Sequence, residues 1–227
     1  MQPNLVRRLA AEFLGTAMLL AAVVGSGIMA ERLAGGNVAV ALLANTIATG
    51  AALIALILTL GPVSGAHFNP AVTMWAGSVG KIKWSDAGLY TVSQIVGALL
   101  GVGIANLMFD LPLFFASTKT RTGFSQWLGE FVATFGLIGV IHCCSRLRRS
   151  EIVAFAVAAY ITAAYWFTSS TSFANPAVTI ARSLSDTFAG IRPLDAPAYI
   201  AVQIVAAIAA TFFFRWLVPA KLGEIRE

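Results

Sequence analysis

From Leu33 to Gly80, and again from Ile152 to Ala181, the chain carries no Asp, Glu, Lys or Arg. A water-facing surface cannot be built from runs of that length. Charged residues make up 11% of the 227 residues and hydrophobic ones 58%, against roughly 25% charged in a soluble domain. This balance excludes an ordinary soluble enzyme, a disordered chain and a disulfide scaffold. It leaves an all-α polytopic membrane protein. The net charge of +5 would suggest nucleic acid in a soluble protein. Here no Lys/Arg run exceeds two, and the basic residues fit the cytoplasmic ends of membrane helices, so no nucleic-acid partner is expected. The only cysteines, the adjacent Cys143 and Cys144, suggest small packing residues rather than a disulfide framework. No cleavage-site pattern follows the first apolar stretch, which is expected to persist as a helix.

Four stretches fit one crossing of about 20 residues each: Glu12 to Glu31, Ala87 to Phe109, Phe124 to Cys144 with Glu130 inside it, and Ala196 to Phe214. The two uncharged runs are too long for one helix. Each breaks at a Gly/Pro/Ser/Thr cluster, Gly61 to Phe68 and Ser169 to Ala174, of the kind that ends helices. After each break, Asn-Pro opens a short helical run, Pro70 to Ser78 and Pro176 to about Leu184. Such a run reaches only about 14 Å, half the hydrocarbon. The expectation is six transmembrane helices plus two re-entrant half-helices.

Basic residues set the orientation. Arg7, Arg8, Lys81, Lys83, Arg146, Arg148, Arg149, Arg215, Lys221 and Arg226 fall on one side, and Arg32, Lys119, Arg121, Arg182 and Arg192 on the other. The richer side is predicted cytoplasmic, with both termini.

The chain is also written twice. Asn69-Pro70-Ala71-Val72-Thr73 returns letter for letter as Asn175-Pro176-Ala177-Val178-Thr179, Glu12-Phe13 as Glu130-Phe131, and Gln94-Ile95-Val96 as Gln203-Ile204-Val205. Each half holds three spans, so the halves enter from opposite sides. This predicts one channel domain over 1–227 built as an inverted repeat, about 8–109 and about 124–218, with a site at mid-membrane where the halves meet. Pro70 and Pro176 suit a first helical turn. Asn69 and Asn175 suit the N-cap, leaving their amide NH2 groups free. Ala71 and Ala177 let the helix starts approach.

Paired NPA boxes, six spans and a Glu in the first span of each half resemble the aquaporin (major intrinsic protein) family over about residues 8 to 218. The resemblance implies a passive channel for small neutral solutes, four chains per assembly with one pore each, no cofactor and no metal. Two half-helix starts facing each other repel cations, protons included. The carbonyls of Gly65, Ala66 and His67, and of Ser172, Phe173 and Ala174, are expected to form an acceptor ladder. His67 is expected to line the cytoplasmic half of the pore, and His142 to sit near the cytoplasmic end of span four. Glu12 and Glu130 are costly in a membrane. They are read as acceptors for loop N–H groups rather than as a proton relay.

One departure stands out. Family members usually carry Arg directly after the second NPA, and here that position is Val178. Arg182 follows one turn on and is expected nearer the outer mouth. Counting in the family frame places the other constriction residues at Thr49, Ala163 and Ser172, with Tyr165 and Trp166 close enough to intrude. Removing Arg removes charge, donors and volume together. A widened filter would pass glycerol and urea. Bacterial relatives with this replacement resemble those of arsenic handling, which adds undissociated arsenite. The alternatives are a water-selective or closed-pore structural member, and an ion-coupled transporter, which would need midplane ionisable groups beyond the two Glu. No metal-ligand cluster or nucleophile–base pair suggests an enzyme. Loop 110–123 receives no role. Gly97 and Gly101 should bring two helices close.

Overall fold

The computed structural model describes residues 3–146 and 150–219, and all regular structure among them is helical. The order is α1 (Leu5–Leu33), α2 (Val38–Ser64), α3 (Pro70–Ser78), α4 (Trp84–Met108), α5 (Phe124–Arg146), α6 (Ser150–Phe167), α7 (Pro176–Arg182) and α8 (Ala196–Leu217). Helices α1, α2, α4, α5 and α8 are each long and apolar enough to cross a bilayer, and α6 adds the apolar run Ile152–Phe167. The short α3 and α7 complete a fold of six spans and two half-helices. Of the basic residues counted above, Arg148, Arg149, Lys221 and Arg226 lie outside the described residues.

Local chemistry sets the boundaries. Asn4 Oδ1 caps α1 by accepting from the Arg7 N–H at 3.0 Å. Asn37 caps α2 through the N–H groups of Ala39 and Val40, after a turn in which Gly35 and Gly36 take positive φ. The α2 helix runs a turn beyond the break expected at Gly61 and includes Pro62. Proline there removes one ladder donor, and the helix closes immediately, with the Gly65 N–H on the Gly61 carbonyl at 2.9 Å and Gly65 at φ 90°. The α7 helix ends two residues early. Ser183 and Leu184 bond three residues back, to Ile180 and Ala181, and tighten out of the α-helix.

The molecule has two distinct ends. At one, Arg8 pairs with Asp86 at 2.8 Å, Arg215 donates to the Ser78 carbonyl at 3.3 Å, and His142 Nε2 lies 3.2 Å from the Val218 carbonyl. The start of α1 and the end of α8 lie there, which makes it the terminal end. At the other, Arg32 donates to the Phe109 carbonyl at 2.7 Å, and loop 110–123 lies along the segment after α7. Phe115 and Ser117 donate to the Leu184 and Ser183 carbonyls, and Arg192 to that of Lys119. This is the capped end. Thr118 N–H donates to Asp186 at 2.8 Å, and that bond foremost holds the Asp186 carboxyl below its ordinary value.

The α1 and α4 helices approach until side chains no longer fit between them. A Cβ on Gly97 would run into the Phe13 carbonyl oxygen, and one on Gly101 into that of Ala17. Small residues at such crossings let dispersion act between backbones where lipid gives no hydrophobic drive. Leu14, Met18, Val92 and Phe212 instead face outward, exposed, as a lipid-facing surface requires. Gly97→Leu should destabilise the folded protein in detergent by about 2 kcal/mol or more, read as a lower thermal midpoint. An unchanged midpoint would contradict this packing.

Candidate functional site

Two segments of non-helical backbone, Gly65–Phe68 and Thr171–Ala174, lie between helices in the middle of the molecule. Both repeat one unusual conformation: Ala66 and Ser172 have φ of 49° and 50°, and Phe68 and Ala174 both 49°. Left-handed residues without a glycine cost of order 1–3 kcal/mol each and persist only where the surroundings fix them. Here the surroundings are two buried carboxylates. Glu12 Oε1 accepts from the Ser64 hydroxyl at 2.6 Å and the His67 N–H at 3.0 Å, and its Oε2 from the Phe68 N–H at 2.7 Å and Gln94 Nε2 at 2.8 Å. Glu130 takes the N–H groups of Phe173 and Ala174 at 2.8 and 2.9 Å and Gln203 Nε2 at 2.6 Å. Both carboxylates are wholly buried and lie behind the loops. Gln94 and Gln203 also reach Thr73 and Thr179, each at 2.9 Å, and so tie each loop to its half-helix.

The two half-helix starts are bolted together crosswise. Asn69 Oδ1 accepts from the Ala71 N–H at 2.9 Å, while its Nδ2 donates to the Ala174 carbonyl at 2.8 Å. Asn175 Oδ1 accepts from the N–H groups of Ala177 and Val178 at 3.0 and 3.3 Å, and its Nδ2 donates to the Phe68 carbonyl at 2.8 Å. Each Asn therefore caps its own helix and holds the opposite loop. An amide NH2 has two hydrogens, so each keeps one more donor. The Ala174 carbonyl, expected in the open ladder, is taken by Asn69. In the repeat, the partners of Ala66 and His67 are Ser172 and Phe173.

A cavity of about 880 Å³ runs beside this junction. It begins at the terminal end among Arg8, Lys81 and Ser145, passes Gly65, Ala66, His67, Asn69 and Asn175, and reaches Thr49, Tyr165, Ser172, Val178 and Arg182. Side chains of α2, α5 and α6, among them Leu53, Ile57, Leu137 and Val157, form an apolar wall along it. The passage is thus polar along one side and apolar along the other. His67 Nδ1 lies 3.1 Å from the Thr73 hydroxyl, and its ring centroid 5.4 Å from that of Tyr90. The Ser172 hydroxyl is buried, and among the described residues it has no hydrogen-bond partner. The other NPA residues, Pro70, Ala71, Pro176 and Ala177, shape the junction without lining the cavity. His142 is enclosed between α3 and the end of α8, where Trp75 Nε1 donates to its Nδ1 at 3.3 Å.

Two expected positions change. Ala163 is exposed on the outer face of α6 and lines nothing. Two residues further, about 200° around the helix, Tyr165 faces the cavity with its hydroxyl 3.5 Å from Thr49 Oγ1. The filter side of α6 is therefore an aromatic rather than a small residue. Arg182 is also deeper than expected: it is 2% exposed and lines the same cavity as Val178. Loop 110–123 supplies a further residue that sequence reasoning missed. Arg121 is buried, donates to the Gly190 carbonyl at 2.8 Å and the Ser170 carbonyl at 3.1 Å, and takes Asp195 on its own N–H at 2.8 Å. The loop is thereby pinned onto the second re-entrant segment.

Residues 1–152 match the family pattern described as major intrinsic protein. The chain belongs to that family. It is 52% identical over 224 residues to aquaglyceroporin AqpS of Rhizobium meliloti (strain 1021), covering 99% of this chain and 95% of the relative. It is 30% identical to aquaporin AqpM of Methanothermobacter marburgensis, covering 94% and 98%. The X-ray structure of the aquaglyceroporin from Plasmodium falciparum superposes with a TM-score of 0.66 at 21% identity, covering 94% of this chain and 95% of that one, and so shares the fold. Major intrinsic proteins are membrane channels, not enzymes, and this chain is a multi-pass passive channel of that class.

Glu130→Ala should leave the N–H groups of Phe173 and Ala174 without acceptors in a dry interior, at about 1–3 kcal/mol each. The expected outcome is a markedly lower thermal midpoint and lost solute flux, whereas wild-type flux in reconstituted vesicles would contradict the bracing role.

Proposed function

We propose that this channel passes small neutral hydroxylated solutes, namely water, glycerol and undissociated metalloid acids such as As(OH)3, through a filter made wide by Val178. The supporting observation is the composition of the cavity lining around Val178. Val178 stands directly after the second NPA box and faces the cavity with Thr49, Ser172 and Tyr165. Members with Arg at that position place a charged fork across the lumen, and valine places an isopropyl group there. A relative half identical over nearly the full length bears the name aquaglyceroporin, which accords with solutes larger than water.

The mechanism follows from the polar side of the passage. A solute hydroxyl accepts from the spare N–H of Asn69 or Asn175 and donates to loop carbonyls, while its carbon or arsenic face slides along the apolar wall. Cations meet two helix starts, each worth roughly half a positive charge, and, among the described residues, no carboxylate on the lining. In this reading Glu12 and Glu130 brace the loops and move no proton. Repeats of about 8–109 and 124–218 form one domain. Both termini lie on the cytoplasmic side of the inner membrane, and four chains assemble with one pore each.

Tyr165 favours a second reading, a water-selective channel, because its ring narrows the side where a small residue was expected. Stopped-flow light scattering on proteoliposomes separates the two. The wide-filter reading requires glycerol and As(OH)3 flux well above empty vesicles, reduced about tenfold or more in Val178→Arg, which restores a guanidinium to the lumen. Unchanged large-solute flux in Val178→Arg would overturn it. Water flux without glycerol flux in the wild type would establish the narrower reading.

A further inference from the structure

The passage has not lost its arginine; it holds one a helical turn away. Arg182 follows Val178 by four residues on α7, on the same helix face, and both line the cavity. Its side chain does not cross the lumen. The guanidinium sits over Phe173, with its carbon 3.4 Å from the ring centroid, and Nε donates to the Ala189 carbonyl. Phe173 cannot yield. Arg121 stacks on it at 5.0 Å, Tyr199 meets it edge-on at 5.3 Å, and its own N–H is held by Glu130.

The terminal amino groups of Arg182 are different. Among the described residues none accepts a hydrogen bond from them, and neither is sealed away from open space. No carboxylate among the described residues forms an ion pair with Arg182. A buried guanidinium with unused donors facing a channel is costly to keep without a purpose. Arg121, by contrast, spends its donors on the Gly190 and Ser170 carbonyls and serves as a strut.

Resting on the channel reading above, we propose that Arg182 is the charged, hydrogen-bond-donating element of this filter. It is displaced one turn toward the capped end and folded back onto Phe173. Charge and width are thereby separated. The guanidinium still sets a positive potential beside the lumen and offers donors to a passing hydroxyl. Val178 leaves open the cross-section that an arginine at its own position would fill. The Tyr165 and Thr49 hydroxyls on the same cavity complement those donors. A triol is then met by donors and acceptors together.

The test uses the full chain in proteoliposomes, with glycerol flux by light scattering and proton and potassium leak under an imposed potential. Arg182→Met and Arg182→Gln are expected to raise cation leak about tenfold or more and, having lost donors to the solute, to slow glycerol flux without abolishing it. Arg182→Lys, which keeps the charge, stays as tight as the wild type. Val178→Arg combined with Arg182→Met regains tightness but slows glycerol. Glycerol-conducting Arg182→Met or Arg182→Gln channels as tight as the wild type would overturn the proposal. So would loss of glycerol flux in both without leak, which would make Arg182 a mere support for Phe173. A wild type that passes no solute at all would instead refute the channel reading, so the two failures are distinguishable.

Discussion

Irregular backbone in mid-bilayer needs a partner for every N–H, and everything distinctive in this chain depends on how that need is met. Two carboxylates, Glu12 and Glu130, take the loop amides from behind, and two asparagines take the facing carbonyls from across the junction. With those bonds in place the loops turn a polar edge to the passage and keep none toward lipid. A buried charge would ordinarily be a liability. Here the four donors on Glu12 and the three on Glu130 make each a brace that no apolar residue could replace.

That bracing explains why the fold is a repeat. One re-entrant segment alone would end on an unsupported carbonyl. Asn69 needs Ala174 and Asn175 needs Phe68, so each half completes the other. The halves differ where the two ends of the passage differ. His67 and Phe173 occupy equivalent places beside Tyr90 and Tyr199. His67 leans on the Thr73 hydroxyl, while Phe173 forms the surface against which two arginines stack. A single framework thus presents an imidazole toward the terminal end and a cation-backed aromatic toward the capped end.

Much of this was legible in the residues alone. The uncharged runs, the Asn-Pro restarts and the letter-for-letter pentapeptide specified six spans, two half-helices and the meeting of Asn69 with Asn175. The paired Glu and Gln letters marked the braces. Ala163 and Tyr165 stand two residues apart on α6, and a family frame carried across a segment with positive φ at Thr171, Ser172 and Ala174 does not tell which of them faces the cavity. Helical phase does not survive such a segment. The depth of Arg182 was hidden for another reason. A helix position gives the direction of a long side chain, and only the ring of Phe173 decides where its far end rests. Arg121 lay in a loop with no periodicity, and its reach to the Ser170 carbonyl is a tertiary contact with no local signal.

Asn69 and Asn175 are locked crosswise beside the lumen, each with one amide hydrogen left for the solute. An experimental density map sharp enough to show ordered water tests this arrangement most directly. The account predicts a file of waters along the loop carbonyls, with at least one within hydrogen-bond distance of both Asn Nδ2 atoms while the bonds to Ala174 and Phe68 remain. A dry junction, or asparagines turned away from those two carbonyls, would contradict it.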